Sequence, residues 1–303
     1  MEIIQITDSF DEVFTLIRRT FDICDRQDCT GDGADYFVSQ FLSEGSTYRN
    51  KIEAGEETVI GAFEGGSLVG VITVSAHGNI SCAFVDPEYQ GRGIGKALFA
   101  RAKEYLDEYF IGPYRIRLNS SPFAVRFYES LGFEKTDYAD NFHGIISTPM
   151  AMDVALPISK YSLREFHAAD AEDLYKILSD EETMRYIEAP FTMELTKDFL
   201  SEQIRNRRIF ALTEGDALVG QIIFHPYGED AYELGWILDR SRWDQGIATL
   251  VTRTLIEYSR GKGIASLVIE CHPDQEVTKH IAKQCGFAGE GKTDGLEVYS
   301  LTL

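Results

Sequence analysis

Positive charge is scarce in this sequence. Only 29 Lys and Arg stand against 49 Asp and Glu over 303 residues, a formal net charge of −20. Polyanions are held by basic side chains that displace counterions, so the deficit argues against a nucleic-acid backbone or an anionic membrane as partner. It favours a cationic substrate such as an amine. Long apolar runs are also missing, and no stretch approaches the ~18 residues of a membrane-spanning helix. Met1 is followed by Glu2 rather than by a basic segment and an apolar run. The expectation is therefore no signal peptide and a cytoplasmic, reduced protein. Cysteine is limited to five, an odd count, and the one close pair, Cys24 and Cys29, fits no zinc spacing, so no metal is expected. What remains is ordinary globular composition, 44% apolar and 26% charged, at a length that suggests about two domains.

The most informative stretch runs from Ile80 to Leu106. Ile80, Cys82, Phe84 and Val85 read as a strand that ends at the turn signal Asp86-Pro87. Ile94, Ala97, Leu98, Ala102, Tyr105, Leu106 and Tyr109 recur at helical steps and form one apolar face. Between them lie Gly91, Gly93 and Gly95. Without Cβ atoms they leave backbone N–H groups uncovered, and the helix behind aims its positive end at the same place. That combination binds phosphate. A P-loop needs Gly-Lys-Ser/Thr, but Ala97 follows Lys96. A dinucleotide fingerprint needs its last glycines three apart, but Gly93 and Gly95 are two apart. A nucleotide-binding protein is therefore the least favoured alternative.

The spacing that fits is Gln/Arg-x-x-Gly-x-Gly/Ala, met by Gln90, Gly93 and Gly95. This resembles the acetyl-CoA loop of the GNAT N-acetyltransferase superfamily. The resemblance implies that Gln90, Gly91, Arg92, Gly93, Ile94, Gly95 and Lys96 hold the CoA pyrophosphate through backbone amides. It also implies that the strand end at Phe84 and Val85 meets the pantetheine arm, with the Val85 carbonyl and amide pairing with its amides. The segment from Asn119 to Phe133 resembles the second signature of the family. By that likeness Asn119 contacts the cofactor, and Tyr128, four residues before Gly132, is the general acid that protonates the CoA thiolate. A phenol near pKa ~10 matches a thiolate of similar basicity.

The layout recurs in the second half, always in the same order. Leu68-Val69-Gly70 returns as Leu218-Val219-Gly220, Phe84-Val85-Asp86 as Ile237-Leu238-Asp239, Gly93-Ile94-Gly95 as Gly246-Ile247-Ala248, and Leu131-Gly132-Phe133 as Cys285-Gly286-Phe287. The expected fold is a mixed α/β sheet with flanking helices in two tandem GNAT-like acyl-CoA N-acyltransferase domains, 1–155 and 159–303, linked around Pro157. The first half is read as a strand from Glu2 to Ile6, a helix from Phe10 to Phe21 and an aspartate-rich loop from Asp22 to Asp35. A helix from Tyr36 to Leu42 follows, then a hairpin turning at Glu64-Gly65-Gly66-Ser67. In the family the sheet splays after the fourth strand, and the pantetheine lies in the gap.

In the second half Trp243 replaces Gln90, and Leu238, Gly246, Ile247, Ala248 and Thr249 complete the cofactor-binding set that the resemblance implies. This half is similar to the branch that acetylates ribosomal-protein N-termini, and Glu233 is its candidate base. The branch's Asn and Ser are replaced by Gln275 and Thr278, and the tyrosine position falls on Ala282. Cofactor binding is expected there, while the departures argue against catalysis. The expected activity is acetyl transfer from acetyl-CoA to a primary amine by direct attack, carried by the first half. The alternative makes the second half a non-catalytic acyl-CoA-binding, structural or regulatory module. The first half offers no Glu or Asp in the strand before the loop. Its base is left open between a water relay to a carboxylate and His143, while the aspartates Asp22, Asp25, Asp28, Asp32 and Asp35 suit a cationic acceptor.

Overall fold

A computed structural model describes residues 1–303. Two compact units emerge, Met1–Ile111 with Arg115–Asp153, and Val154–Leu303 with Gly112–Tyr114.

The first unit opens with strand β1 (Glu2–Ile6) and helices α1 (Asp11–Cys24), α2 (Gly33–Phe37) and α3 (Thr47–Glu53). Strands β2 (Glu57–Glu64), β3 (Ser67–Ser75) and β4 (Ile80–Val85) join β1 in an antiparallel sheet of order β1-β2-β3-β4. Gly65 and Gly66 have φ of 60° and 85°, which the two-residue hairpin turn demands. Then follow α4 (Ile94–Tyr109), β5 (Tyr114–Ser120), α5 (Val125–Ser130), β6 (Glu134–Lys135), β7 (Asp140–Phe142) and β8 (Ile145–Val154). A second sheet has the order β5-β8-β6, with β7 folded back on β8.

Two cores sandwich the first sheet. Val13, Phe14, Ile17 and Phe21 of α1 pack on Val59, Val71 and Cys82. The apolar stripe of α4, with Ile94, Leu98, Ala102 and Leu106 all buried, covers the other face. Strands β4 and β5 run parallel and meet through one bridge, Asn79 to Arg117. Beyond it no ladder joins them, so the strand ends at Val85 and Ser120 are apart. This is the splay that the resemblance implies.

Several local expectations need revision. The helix read as Phe10 to Phe21 is Asp11–Cys24, so the loop placed at Asp22 to Asp35 starts inside α1. The helix read as Tyr36 to Leu42 is α2 followed by a π-turn over Val38–Leu42. Helix α3 is not foreseen; its signal is Ser46, whose hydroxyl accepts the Arg49 N–H at 3.3 Å as an N-cap. The residues read as a linker around Pro157 form a strand, β9 (Leu156–Ile158), at the edge of the second unit's sheet. A proline lacks the ladder donor and is tolerated at an edge.

The second unit continues with β10 (Tyr161–Arg164), α6 (Ala171–Leu178), α7 (Glu181–Met184), α8 (Met193–Asn206), β11 (Ile209–Glu214), β12 (Ala217–Tyr227) and β13 (Ala231–Leu238). It closes with α9 (Ile247–Gly261), β14 (Ser266–Cys271), α10 (Glu276–Gln284), β15 (Ala288–Thr293) and β16 (Leu296–Thr302). One eight-stranded sheet has the order β15-β16-β14-β13-β12-β11-β10-β9. Here too the parallel pair parts early: β13 and β14 are in register only from Ala231↔Ser266 to Glu233↔Val268. No helix is long and apolar enough to cross a membrane.

Candidate functional site

The loop between β4 and α4 is built from its own backbone. Asp86 donates its N–H to the Val69 carbonyl at 2.9 Å, and its carboxylate accepts the Glu88 N–H at 3.0 Å, closing a short turn over Pro87–Tyr89. Gln90 then folds back and donates Nε2 to the Val85 carbonyl at 3.0 Å. Gly91 and Gly93 take φ of 73° and 83°, and a Cβ added at either would meet nothing within 4 Å. Gly93 caps α4, whose first N–H groups have no intrahelical partner. The first turn of α4 carries no acid and does carry Lys96. This open concavity of amides at a positive helix end fits a diphosphate.

Tyr128 lies on α5, whose Phe127 ring packs beside Gly95 of the loop. It is buried between the rings of Phe127 and Phe133, at 5.1 and 5.5 Å. Burial pushes its hydroxyl pKa up, and Cys82 and Asp25 act on it in the same direction. The Cys82 thiol is fully buried and is pushed up to about 12, mainly by burial, which makes it an inert neutral neighbour at physiological pH. Asp25 caps the C-terminus of α1, donating its N–H to the Phe21 carbonyl at 3.0 Å. Its Oδ1 is out of solvent and has no hydrogen-bond partner. Burial raises its pKa, the Ser121 hydroxyl partly offsets this, and Asp28 adds to it. The preceding residue, Cys24, accepts Gln90 Nε2 at 3.6 Å through its sulfur. So α1 ends where the phosphate loop begins.

The other aspartates differ. Asp22 is tied to Arg26 at 2.9 Å, and Asp32 and Asp35 are exposed. Their segment is held by the β7–β8 hairpin: Thr30 N–H donates to the Gly144 carbonyl at 2.8 Å, and Asn141 Nδ2 donates to the Thr30 hydroxyl at 2.9 Å. Two glycines make the crossing possible. A Cβ on Gly33 would lie 2.3 Å from the Gly144 backbone, and one on Gly144 would lie 2.1 Å from the Thr30 carbonyl oxygen. His143, a candidate base, sits at this hairpin tip, exposed and stacked on Tyr36 at 4.4 Å.

The second unit repeats the scaffold and changes the chemistry. Asp239 N–H donates to the Val219 carbonyl at 3.0 Å. Trp243 Nε1 donates to the Leu238 carbonyl at 3.1 Å, as Gln90 does to Val85. Gly246 caps α9 with φ of 71°. Asp244, however, stands where Gly91 stands and is forced to φ of 58°. The Phe287 N–H donates to the Ala282 carbonyl at 3.0 Å, as that of Phe133 donates to Tyr128 at 3.1 Å, so Ala282 takes the tyrosine's place in space. The Gln275 side chain is engaged, accepting the His272 N–H at 2.8 Å. Glu233 lies 3.2 Å from His225 Nε2; burial raises its pKa, His225 opposes that, and Glu270 adds to it.

Several of these residues also make contacts within the protein. Gln90 positions the loop, because its amide is spent on Val85 and Cys24. The Val85 carbonyl, assigned to the pantetheine, already accepts that donor. Phe84 turns its ring into the α1 core against Phe37, which leaves its backbone alone to face a ligand. Arg92 points its guanidinium at Glu64, 2.6 Å away, and over the Tyr89 ring. Gly95 is required by packing, since a Cβ there would press on the Phe127 ring at 3.1 Å. Asn119 is exposed on β5. The one functional candidate that sequence reasoning does not separate from its neighbours is Asp25, and no spacing distinguishes it.

Sequence models of the GNAT acetyltransferase domain match residues 25–154 and again 161–288. Over 135 residues the chain is 30% identical to an uncharacterized N-acetyltransferase, YnaD, of Bacillus subtilis (strain 168), spanning 43% of this chain and 79% of that protein. It is 27% identical over 129 residues to the N-alpha-acetyltransferase RimI of Mycobacterium tuberculosis, spanning 40% of this chain and 80% of RimI. Among solved structures, RimL, a ribosomal L7/L12 alpha-N-protein acetyltransferase in complex with coenzyme A, aligns with a TM-score of 0.43 at 19% identity, covering 49% of this chain and 98% of RimL.

Proposed function

This chain belongs to the GNAT acetyltransferase family, whose acyl donor is acetyl-CoA, and from that premise we propose that its first half transfers acetyl to a cationic primary amine. One observation carries the reading: an open cradle of loop amides at Gly91–Lys96 follows the end of β4, where β4 has parted from β5, and the same half keeps Tyr128 on the helix that packs beside Gly95. Acetyl-CoA supplies an acetyl group activated as a thioester. The amides of Gly91 to Lys96 and the dipole of α4 hold its diphosphate. The splayed strand ends take the pantetheine arm. The neutral amine attacks the thioester carbonyl, and Tyr128 gives its proton to the departing sulfur. Burial keeps the phenol protonated at neutral pH and makes it a weaker acid than a free phenol, so its hydroxyl stands ready as a hydrogen-bond donor to the sulfur and the proton follows as charge builds there. The acceptor enters past the α1–α2 segment and the β7–β8 hairpin, where exposed Asp32, Asp35 and Asp140 favour a cation.

A second reading concerns the other half. Ala282 in the tyrosine's place and the engaged Gln275 favour acyl-CoA binding without turnover. Calorimetry of acetyl-CoA on the full chain, followed by a free-thiol turnover assay with mixed primary amines, tests both. One or two equivalents bound, with turnover lowered about 100-fold by Tyr128→Ala, supports the proposal. No binding, or turnover indifferent to Tyr128, overturns it.

A further inference from the structure

The first half lacks a carboxylate on β4, so acetyl transfer in this half needs a proton acceptor from elsewhere. Two carboxylates of this half have a buried oxygen without a hydrogen-bond partner. Glu57 has an unpartnered Oε2, but its other oxygen accepts the Ser81 hydroxyl at 2.8 Å, and its charge acts on Tyr48 and Cys82 in the core. Asp25 is the other, and four observations converge on it. Its Oδ1 is withdrawn from solvent with no partner, a costly state that persists where a ligand completes it. Its carboxylate is felt by Tyr128, and the Ser121 hydroxyl, just past the end of β5, reaches it. Its neighbour Cys24 touches Gln90 at the mouth of the phosphate loop. The one cation adjacent in sequence, Arg26, is committed to Asp22. Asp25 therefore lies near both splayed strand ends, with one oxygen waiting.

Building on the acetyl-transfer reading of the first half, we infer that Asp25 receives the ammonium group of the acceptor and takes its proton, acting as general base opposite Tyr128. The ammonium R–NH3+ gives one proton to Oδ1 and becomes R–NH2. Its lone pair forms the C–N bond, the C–S bond breaks, and the Tyr128 proton goes to sulfur. The second nitrogen proton then restores the phenol, and Asp25 returns its proton to water, so one proton is released per turnover. The groups facing Asp25 are Asp28 and Cys29 of its own segment and Tyr128 of α5; none is a cation that would hold the carboxylate ionised. Burial therefore leaves it a stronger base than an exposed aspartate.

The test uses the full chain, acetyl-CoA and three acceptors: spermidine, tyramine and an alanine-initiated tripeptide. Asp25→Asn is expected to lower kcat about 100-fold or more, to leave acetyl-CoA affinity within about twofold, and to erase the acidic limb of kcat/KM against pH. Asp25→Glu is expected to keep a displaced limb, and Glu57→Gln to keep wild-type turnover. Melting of Asp25→Asn at an unchanged or higher temperature separates the effect from misfolding, and if that variant does not fold, Asp25→Glu decides alone. Wild-type turnover and limb in Asp25→Asn, or an unmoved limb in Asp25→Glu, overturn the inference while the acetyltransferase reading stands. Acetyl-CoA bound but none of the three amines acetylated overturns the inference, which requires a cationic primary amine. No acetyl-CoA bound overturns the underlying reading instead.

Discussion

The two halves are copies of one scaffold with their chemical groups dealt out differently. Each ties the end of a hairpin strand to the segment before its glycine-capped helix through a Glu-to-Arg pair at 2.6 Å, Glu64 with Arg92 and Glu214 with Arg242. Each ties the side chain three residues before the capping glycine to the strand-end carbonyl. The first half keeps a tyrosine on α5 and has Ile80 where the second has Glu233. The second keeps that glutamate and has Ala282 where the first has Tyr128. A scaffold that survives while its reactive groups diverge shows that backbone geometry and catalytic competence are specified by different residues.

The sharpest contrast is at the hairpin tips. His143-Gly144 and Asp294-Gly295 form the same turn, with φ of 52° and 86° against 50° and 88°. Gly144 is crossed by the Thr30 backbone, while Gly295 faces open space. Gly144→Ala should cost about 3 kcal/mol or more, because backbone must move, and Gly295→Ala only about 1 kcal/mol of left-handed strain. Denaturant titration of both variants checks this, and equal losses would show that the crossing is not a constraint.

Next in size is the effect on turnover. Tyr128→Ala makes the first half resemble the second and should lower kcat about 100-fold, whereas Glu233→Gln should leave it unchanged. A large loss from Glu233→Gln would move catalysis to the second half. Smaller is the exchange at the phosphate loop. Gly91→Asp should weaken acetyl-CoA binding about tenfold through charge and strain. Asp244→Gly should strengthen binding in the second half about threefold, and calorimetry reads both.

The smallest effect is on acid stability. Burial lifts the Glu57 carboxyl above its ordinary 4.5, with Ser81 opposing. A raised folded value means that the stability this group allows is present below the ordinary value and lost as pH rises through the folded one. Glu57→Gln should therefore raise the melting temperature at pH 7 by a small margin that vanishes below pH 4.5. Asp180 and Glu214 in the second half are lowered, chiefly by Thr183 and by Lys160. Their contribution is present at neutral pH and lost as pH falls, so the halves respond to acid with opposite sign at these sites.

Much of the fold is legible in sequence because its signals are local. The Gly65-Gly66 turn, the stripe of α4 and the spacing from Gln90 to Gly95 need only neighbours to be understood. Helix α3 escapes such a reading because its apolar face is only Tyr48 and Ile52, too short for periodicity to register. Pro157 misleads because proline suits a linker and an edge strand equally. At the site, residue types are legible while the engagement of their atoms is not: nothing in Gln90 or Arg92 reveals that their polar ends are already spent on Val85 and Glu64.

Glycine spacing and apolar period along the chain are enough to specify the doubled scaffold and the amide-lined bend before each long helix. Which of the five aspartates has an oxygen withdrawn from water is set by the packing of distant segments. That depends on where the end of α1 meets Ser121 and Gln90, residues almost a hundred and more than sixty positions away. Desolvation is a property of everything packed around a group, and no local pattern encodes it.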